Sequence, residues 1–400
     1  MGRQGDSAMD VEIVTFDADP DHGGFGARVD SIVRIFAQFA SVRVVLTDWF
    51  GGPRVPGVVY EQIPVRDSIL SKIRRLRTYY KTDFPRRARP NPPDLVVMES
   101  LDILGMHQYG PGVPLILDEH NVYWDLLQYE IPMSPFFQSW LGQREIVRRL
   151  LIPRLLGRAK LYEIKALERA RRVFVTSDPD RRRILAEVPD LEGRLFVLPN
   201  CIDLARFPSP GDGGGSESVV FIGNYGYTPN REAAKFIARE LAPHIPDATF
   251  VLVGANPPSH VLGARNVVAA GHLKELHTVL RQAALCVAPL QKGSGTRLKI
   301  LTYLAAGKAV VATRKACEGL EVEDGVHLLI RDNPSEFRLA VQDILRDSHL
   351  RTALGRRGRA LVETVYDWRV HVHRVEDLAR GVLRERVPSG PTDGPPFRGA

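Results

Sequence analysis

Twice along this chain a short apolar run is followed by a loop, a helix-length stretch and another apolar run. The first instance is Val11–Phe16 (VEIVTF), a loop with Gly23, Gly24 and Gly26, a helical pattern over 27–40, then Val42–Thr47 (VRVVLT). The second starts at Val219–Ile222, with a helix expected over 230–242 and a strand at Phe250–Val253. Apolar runs without polar alternation are strands buried on both faces, which occur in parallel sheets covered by helices. Further such runs stand at 94–98, 114–117, 172–176 and 195–198 in the first half, and at 285–288 and 309–312 in the second. Helical patterns fill 272–284, 296–306, 334–346, 348–364 and 368–385. Between the two series lies PSPGDGGGSES (208–218), whose Gly, Pro and Ser content marks a connection between domains. A chain of 400 residues suits two domains. The expected fold class is α/β: two doubly wound, Rossmann-like domains facing across a cleft, with ligands beyond the carboxyl ends of the strands.

Composition narrows the class further. The hydrophobic share of 44% and charged share of 25% are those of a globular protein and exclude a disordered or fibrous chain. The net charge of +7 is patched: residues 68–90 carry eight basic side chains against Asp83, and 144–172 carry ten against Glu145, Glu163 and Glu168. Each segment alone is therefore as positive as the whole chain. Three widely spaced cysteines, Cys201, Cys286 and Cys317, form no CxxC pattern, so reduced thiols are expected and a disulfide framework or structural zinc is not. No secretory signal is visible and no apolar run approaches the roughly 18 residues of a membrane span. The expected location is cytoplasmic, at most peripheral at the inner face of a membrane.

The most informative segment is PLQKGSGTRLKILTYLAAGKAVVAT, Pro289–Thr313. A buried strand ends at Leu290, and a loop with Gly293 and Gly295 leads into a helix that closes at Gly307. Backbone N–H groups in such a loop, at the positive end of a helix, suit a phosphate. Arg297 and Lys299 would neutralise a diphosphate and stabilise it as it gains charge on leaving. The bland alternative is a plain turn with both cations on a solvated face. A Walker A loop is excluded, because GxxxxGK[ST] is absent.

Gly293–Lys299 (GSGTRLK), Leu304–Thr313 (LAAGKAVVAT) and Glu318-Gly-Leu320 together resemble the donor-binding segment of family 4-like glycosyltransferases (glycosyl transferases group 1) of the GT-B fold. Other blocks agree in order: Gly23–Gly26 (GGFG), Asp118–Val122 (DEHNV), Pro199–Phe207 (PNCIDLARF), Phe221-Ile-Gly223 with Pro229-Asn230, Val251–Gly254 (VLVG) and Tyr366-Asp-Trp368. The resemblance covers about residues 9–386 and implies an N-terminal acceptor-side domain over 9–207 and a nucleotide-sugar-binding domain over 215–369. A helix at about 370–386 would cross back to the first domain, leaving 387–400 as a disordered tail.

What the resemblance implies is a metal-independent, retaining hexosyltransferase of glycan biosynthesis. It would move a sugar from a nucleoside-diphosphate sugar to a glycan or lipid-linked acceptor, with the donor as substrate and no cofactor. Arg297 and Lys299 would hold the diphosphate, and His120 would reach the donor sugar. Gly24 and Gly26 would let the first loop approach the phosphates, and Gly223, Gly295 and Thr296 would face them from the second domain. Glu318 would lie near the donor, with a solvated loop acid as its plain alternative. One position departs from the pattern. Thr302 stands where the family carries the second glutamate of E-x7-E, which accepts from the ribose hydroxyls, and Ser294 stands at the first. A hydroxyl has less acceptor capacity than a carboxylate and no charge. The alternative this motivates is a non-catalytic GT-B-like nucleotide- or partner-binding protein, and a third reading within the same fold is a nucleotide-sugar epimerase.

The remaining signals are weaker. Asp17-Ala-Asp19, Asp19-Pro-Asp21 and Asp178-Pro-Asp180 have the D-x-D form of cation-binding transferases, but Asp-rich turns after strands are common, and Asp178–Asp180 reads as a helix start. In 68–81, Ile69, Ile73, Leu76 and Tyr80 recur at helical spacing among basic residues. The patch from Arg144 carries apolar residues in two runs separated by Pro153, where a break is expected. Both patches suit an anionic membrane surface, or simply helices packed on the first domain. Nucleic acid is not expected, for want of interleaved stacking aromatics.

Overall fold

A computed structural model describes residues 9–20, 23–46, 54–63, 91–101, 103, 109, 112–133, 139, 144–207, 217–258, 261, 263, 265–271, 276–293 and 298–385. The described chain forms two compact units, one of residues up to Pro199 together with those from His371, the other Asn200–Val370.

The first unit is built on β1 (Met9–Thr15), β2 (Ala40–Leu46), β3 (Val59–Gln62), β4 (Leu95–Met98), β5 (Leu115–Glu119), β6 (Arg172–Val175) and β7 (Leu195–Val197). They pair in parallel in the order β3-β2-β1-β4-β5-β6-β7. Every residue of β4 (LVVM) and β5 (LILDE) is buried. The order reverses direction at β1, so β1 and β4 bracket the crevice where doubly wound sheets place their ligands. The helices are α1 (Gly24–Phe36), α2 (Tyr123–Met133), α3 (Glu145–Arg169) and α4 (Asp178–Glu187).

The second unit holds β8 (Ser218–Ile222), α5 (Thr228–Phe236), β9 (Thr249–Val253), β10 (Val267–Gly271), α6 (Leu276–Gln282), β11 (Leu285–Ala288), α7 (Leu298–Ala305), β12 (Ala309–Ala312), β13 (Leu329–Ile330), α8 (Pro334–Arg346) and α9 (Ser348–Leu361). Its sheet is parallel in the order β10-β9-β8-β11-β12-β13, with the reversal between β8 and β11. β11 (LCVA) and β12 (AVVA) are buried throughout. The last helix, α10 (Val372–Arg384), belongs to the first unit and packs on α1.

Each strand expected above falls on a strand, with ends shifted by two residues or fewer. The short β3, β10 and β13, and α2, carry too weak a pattern to be read beforehand. Three other expectations meet a different structure. The units divide at Pro199/Asn200, eight residues before the expected end at 207. The cause is local pairing: Ile202 N donates to the Tyr366 carbonyl at 2.8 Å, and Arg359 Nη1 donates to the Phe207 carbonyl at 2.8 Å. Ile202 and Phe207 thus join the core of the second unit. Next, α3 runs unbroken through Pro153. Pro153 lies on the exposed side of the helix, where water can satisfy the carbonyl it leaves without a donor. Finally, the helical patterns at 230–242 and 348–364 each end in a wider turn, Ile237–Leu241 and Val362–Tyr366. The amphipathic pattern at 68–81, most of the 208–218 connection and the tail from 387 lie outside the described residues.

Candidate functional site

At the carboxyl ends of β1, β4 and β5 four charged or titratable side chains converge below the solvent surface. Arg28, on α1, is buried and grips Asp118 with two bonds, Nε to Oδ2 at 2.7 Å and Nη2 to Oδ1 at 2.5 Å. Its Nη1 donates to the Leu198 carbonyl at 3.0 Å, which ties α1 to the end of β7. His120 Nε2 lies 3.0 Å from Asp118 Oδ2 and 3.2 Å from Glu99 Oε2. The Phe25 ring packs on the imidazole with centroids 4.6 Å apart.

This geometry sets the protonation of each group. Burial alone would raise the Asp118 pKa, but the Arg28 guanidinium and His120 outweigh it and hold the carboxyl well below the usual range. Burial, reinforced by the Asp118 charge, pushes Glu99 up to about 8. Burial disfavours a charged imidazole at His120, yet its bonds to Asp118 and Glu99 prevail and raise its pKa. Glu99 Oε1 is buried without a hydrogen-bond partner, which a neutral acid tolerates far better than a carboxylate. One oxygen or nitrogen from each of Glu99, Asp118 and His120 lies within 4.8 Å of the others, a spacing that could surround a cation. Both Asp118 oxygens are already engaged by Arg28, however, so a divalent ion would sit beside a guanidinium. The same contacts let the three groups share protons.

The expected site residues in the first unit have clear places. Gly24 opens α1. Gly26 has an internal reason to be glycine, since a Cβ there would lie 2.0 Å from the Asp19 carbonyl oxygen. Asp17 accepts the Asp19 N–H at 2.8 Å and so braces the turn. Asp178 and Asp180 start α4, where Ser177 caps the Asp180 N–H and Asp180 accepts the Thr176 and Ser177 hydroxyls. Glu163 accepts the Tyr123 and Trp124 N–H groups at 2.9 Å each and so caps α2.

In the second unit Gly223 follows β8 directly and donates to the Val253 carbonyl at 2.9 Å. Lys299 stands in the first turn of α7, bonded to Asn230 and over the Phe221 ring. The Thr302 hydroxyl donates to the Leu298 carbonyl at 3.0 Å, one turn back in the same helix. Glu318 pairs with Lys315. Gly295, Thr296 and Arg297, with Ser294, lie outside the described residues. Sequence reasoning missed Arg28, Glu99, Asp118 and Asn230 as site residues. The readable signals were an arginine buried within the amphipathic α1 and carboxylates closing apolar strands.

The fold matches known proteins. The sequence profile of the glycosyl transferases group 1 family matches residues 216–347, from the start of β8 past the end of α8. The structure of Anabaena HepE in complex with UDP and glucose superposes with a TM-score of 0.63 at 15% identity, covering 93% of this chain and 100% of HepE. Sucrose-phosphate synthase from Thermosynechococcus elongatus gives 0.67 at 16% identity, covering 94% and 99%. The chain has the GT-B glycosyltransferase fold. WaaG, a glycosyltransferase involved in lipopolysaccharide biosynthesis, gives 0.64 at 14% identity and covers 93% and 100%. No curated protein sequence matches the chain. The group 1 match takes in Gly223, Asn230, Lys299, Thr302 and Glu318.

Proposed function

We propose that this protein is a retaining, metal-independent hexosyltransferase that moves a sugar from a nucleoside-diphosphate sugar to a glycan or lipid-linked acceptor. The observation that carries the reading is Lys299, in the first turn of α7 just beyond β11, inside the group 1 segment. Lys299 and Arg297 would hold the donor diphosphate and stabilise it as it departs. The leaving phosphate would take the acceptor proton, which accords with retention of configuration and requires no separate base. The donor is a substrate, and no cofactor enters this reading. HepE was solved with UDP and with glucose, which supports a nucleoside diphosphate as ligand.

The test is thermal stabilisation by UDP-, GDP-, ADP- and dTDP-sugars, followed by assay for slow donor hydrolysis. One donor is expected to raise Tm, and Arg297→Ala with Lys299→Ala to remove that rise. A double variant that responds normally would sink the phosphate assignment. One observation favours a second reading, a non-catalytic nucleotide-binding relative. The Thr302 hydroxyl spends its proton on the Leu298 carbonyl and offers the ribose no carboxylate. Stabilisation without hydrolysis or transfer would favour it.

An anionic membrane surface is the proposed docking partner. Along α3, Ile146, Leu150, Leu151 and Leu161 are exposed among exposed Arg149, Arg154, Arg158 and Lys165. Apolar side chains within a basic helix face suit the headgroup region of an anionic bilayer. Among the described residues no helix is long and apolar enough to cross a membrane. Co-sedimentation with anionic but not neutral vesicles is expected. Equal pelleting from both would contradict an electrostatic mode.

A further inference from the structure

Gly223 and Lys299 are 76 positions apart in the chain, yet one side chain lies between their roles. Asn230, in the first turn of α5, is buried. Its Nδ2 donates to the Asn224 carbonyl at 2.8 Å. That bond orients the amide, so Oδ1 is the end presented to Lys299, and Lys299 Nζ donates to it at 2.7 Å. The ammonium also sits 4.5 Å from the centroid of the buried Phe221 ring. A Cβ added at Gly223 would stand 2.8 Å from Asn230 Cγ, 3.0 Å from Nδ2 and 3.1 Å from Cβ. Glycine at 223 therefore leaves the space that the Asn230 amide fills.

We propose that Asn230 is the positioning residue of Lys299, and that Gly223 serves the donor site by making room for Asn230 rather than by approaching the phosphates itself. This rests on the reading of Lys299 as a diphosphate ligand. The chemistry of the tether explains its type. An amide oxygen accepts from an ammonium without cancelling its charge, and the Phe221 ring face attracts a cation without neutralising it. A carboxylate at the same position would form an ion pair and compete with the phosphates. The arrangement restricts a long, flexible side chain before the ligand arrives, which lowers the ordering cost of binding.

The test is a set of variants of the full chain, each titrated by calorimetry with whichever of UDP, GDP, ADP or dTDP binds tightest and with the matching nucleoside. The readout is the ratio of diphosphate to nucleoside affinity, which a general loss of structure would not move selectively. Lys299→Ala and Asn230→Ala should each lower that ratio about tenfold, the scale of one charge-assisted hydrogen bond. Asn230→Asp, nearly isosteric, should lower it at least as much by pairing with Lys299. Gly223→Ala should lower it in the native background but add nothing in the Asn230→Ala background. Equal cost in both backgrounds would mean that Gly223 acts by its own approach to the ligand and would overturn the coupling. An unchanged ratio in both Asn230 variants, with Lys299→Ala still impaired, would overturn the positioning role alone. If Lys299→Ala itself leaves the ratio unchanged, the diphosphate reading fails and the proposal fails with it.

Discussion

The two units treat charge at their strand ends in opposite ways. In the first, Arg28, Asp118, His120 and Glu99 are buried and bonded to one another. In the second, Lys299 is tethered by an amide oxygen and a ring face, both neutral. A buried ion pair that satisfies itself holds elements in register, but its charge is no longer available to a ligand. An amide oxygen and a ring face hold a cation without cancelling its charge. The contrast separates a buried cluster that fixes His120 from the cation proposed to meet the donor diphosphate.

Three predictions would break or sharpen this comparison. The largest effect is expected from Arg28→Met, which strands the Asp118 carboxylate in the core and should cost about 3–5 kcal/mol of unfolding free energy. Lys299→Met should cost less in the same urea titration, about 1 kcal/mol, because it leaves a buried amide oxygen of Asn230 without its donor but no buried charge unpaired. Similar losses for both would abolish the contrast.

The second prediction concerns Glu99. Its pKa in the fold is about 8, above the ordinary carboxylate value it regains on unfolding. The folded state therefore holds a proton that the unfolded chain releases across the interval between them. Stability is favoured at low pH and falls as pH rises toward 8, by up to about 1.4 kcal/mol per pH unit. Glu99→Gln cannot ionise, so its Tm should gain on that of the native protein between pH 5 and 8. A constant difference across that range would show Glu99 already charged in the fold. The smallest effect belongs to Ser177→Ala, which removes the cap of α4 and should cost about 1 kcal/mol in the same titration. A loss near that of Arg28→Met would assign the 177–180 turn a role beyond capping.

Much of the fold was legible in the chain because buried parallel strands are locally apolar and their loops locally glycine-rich. The candidate residues of the second unit could be picked out for the same reason: Gly223, Lys299 and Thr302 sit in compact motifs. The unit boundary was misread because loop composition reports flexibility at 208–218 and not the pairing of Ile202 with the segment at 366–368. Pro153 was misread because its cost depends on which side of α3 meets water. Gly26 and Gly223 announced themselves as glycines, but what each makes room for, Asp19 and Asn230, could not be read from its neighbours.

The sequence by itself determined two successive parallel α/β units. Apolar periodicity and short motifs are properties of neighbouring residues, so those features needed no coordinates. Only the tertiary structure decided that Arg28, Glu99, Asp118 and His120 form one proton-sharing cluster and that Asn230 holds Lys299. The register of β1 with β4 and of β4 with β5 brings the first set together from across some 90 positions. Hydrogen bonds and pKa shifts act over a few ångströms, and which groups come that close is settled by strand order.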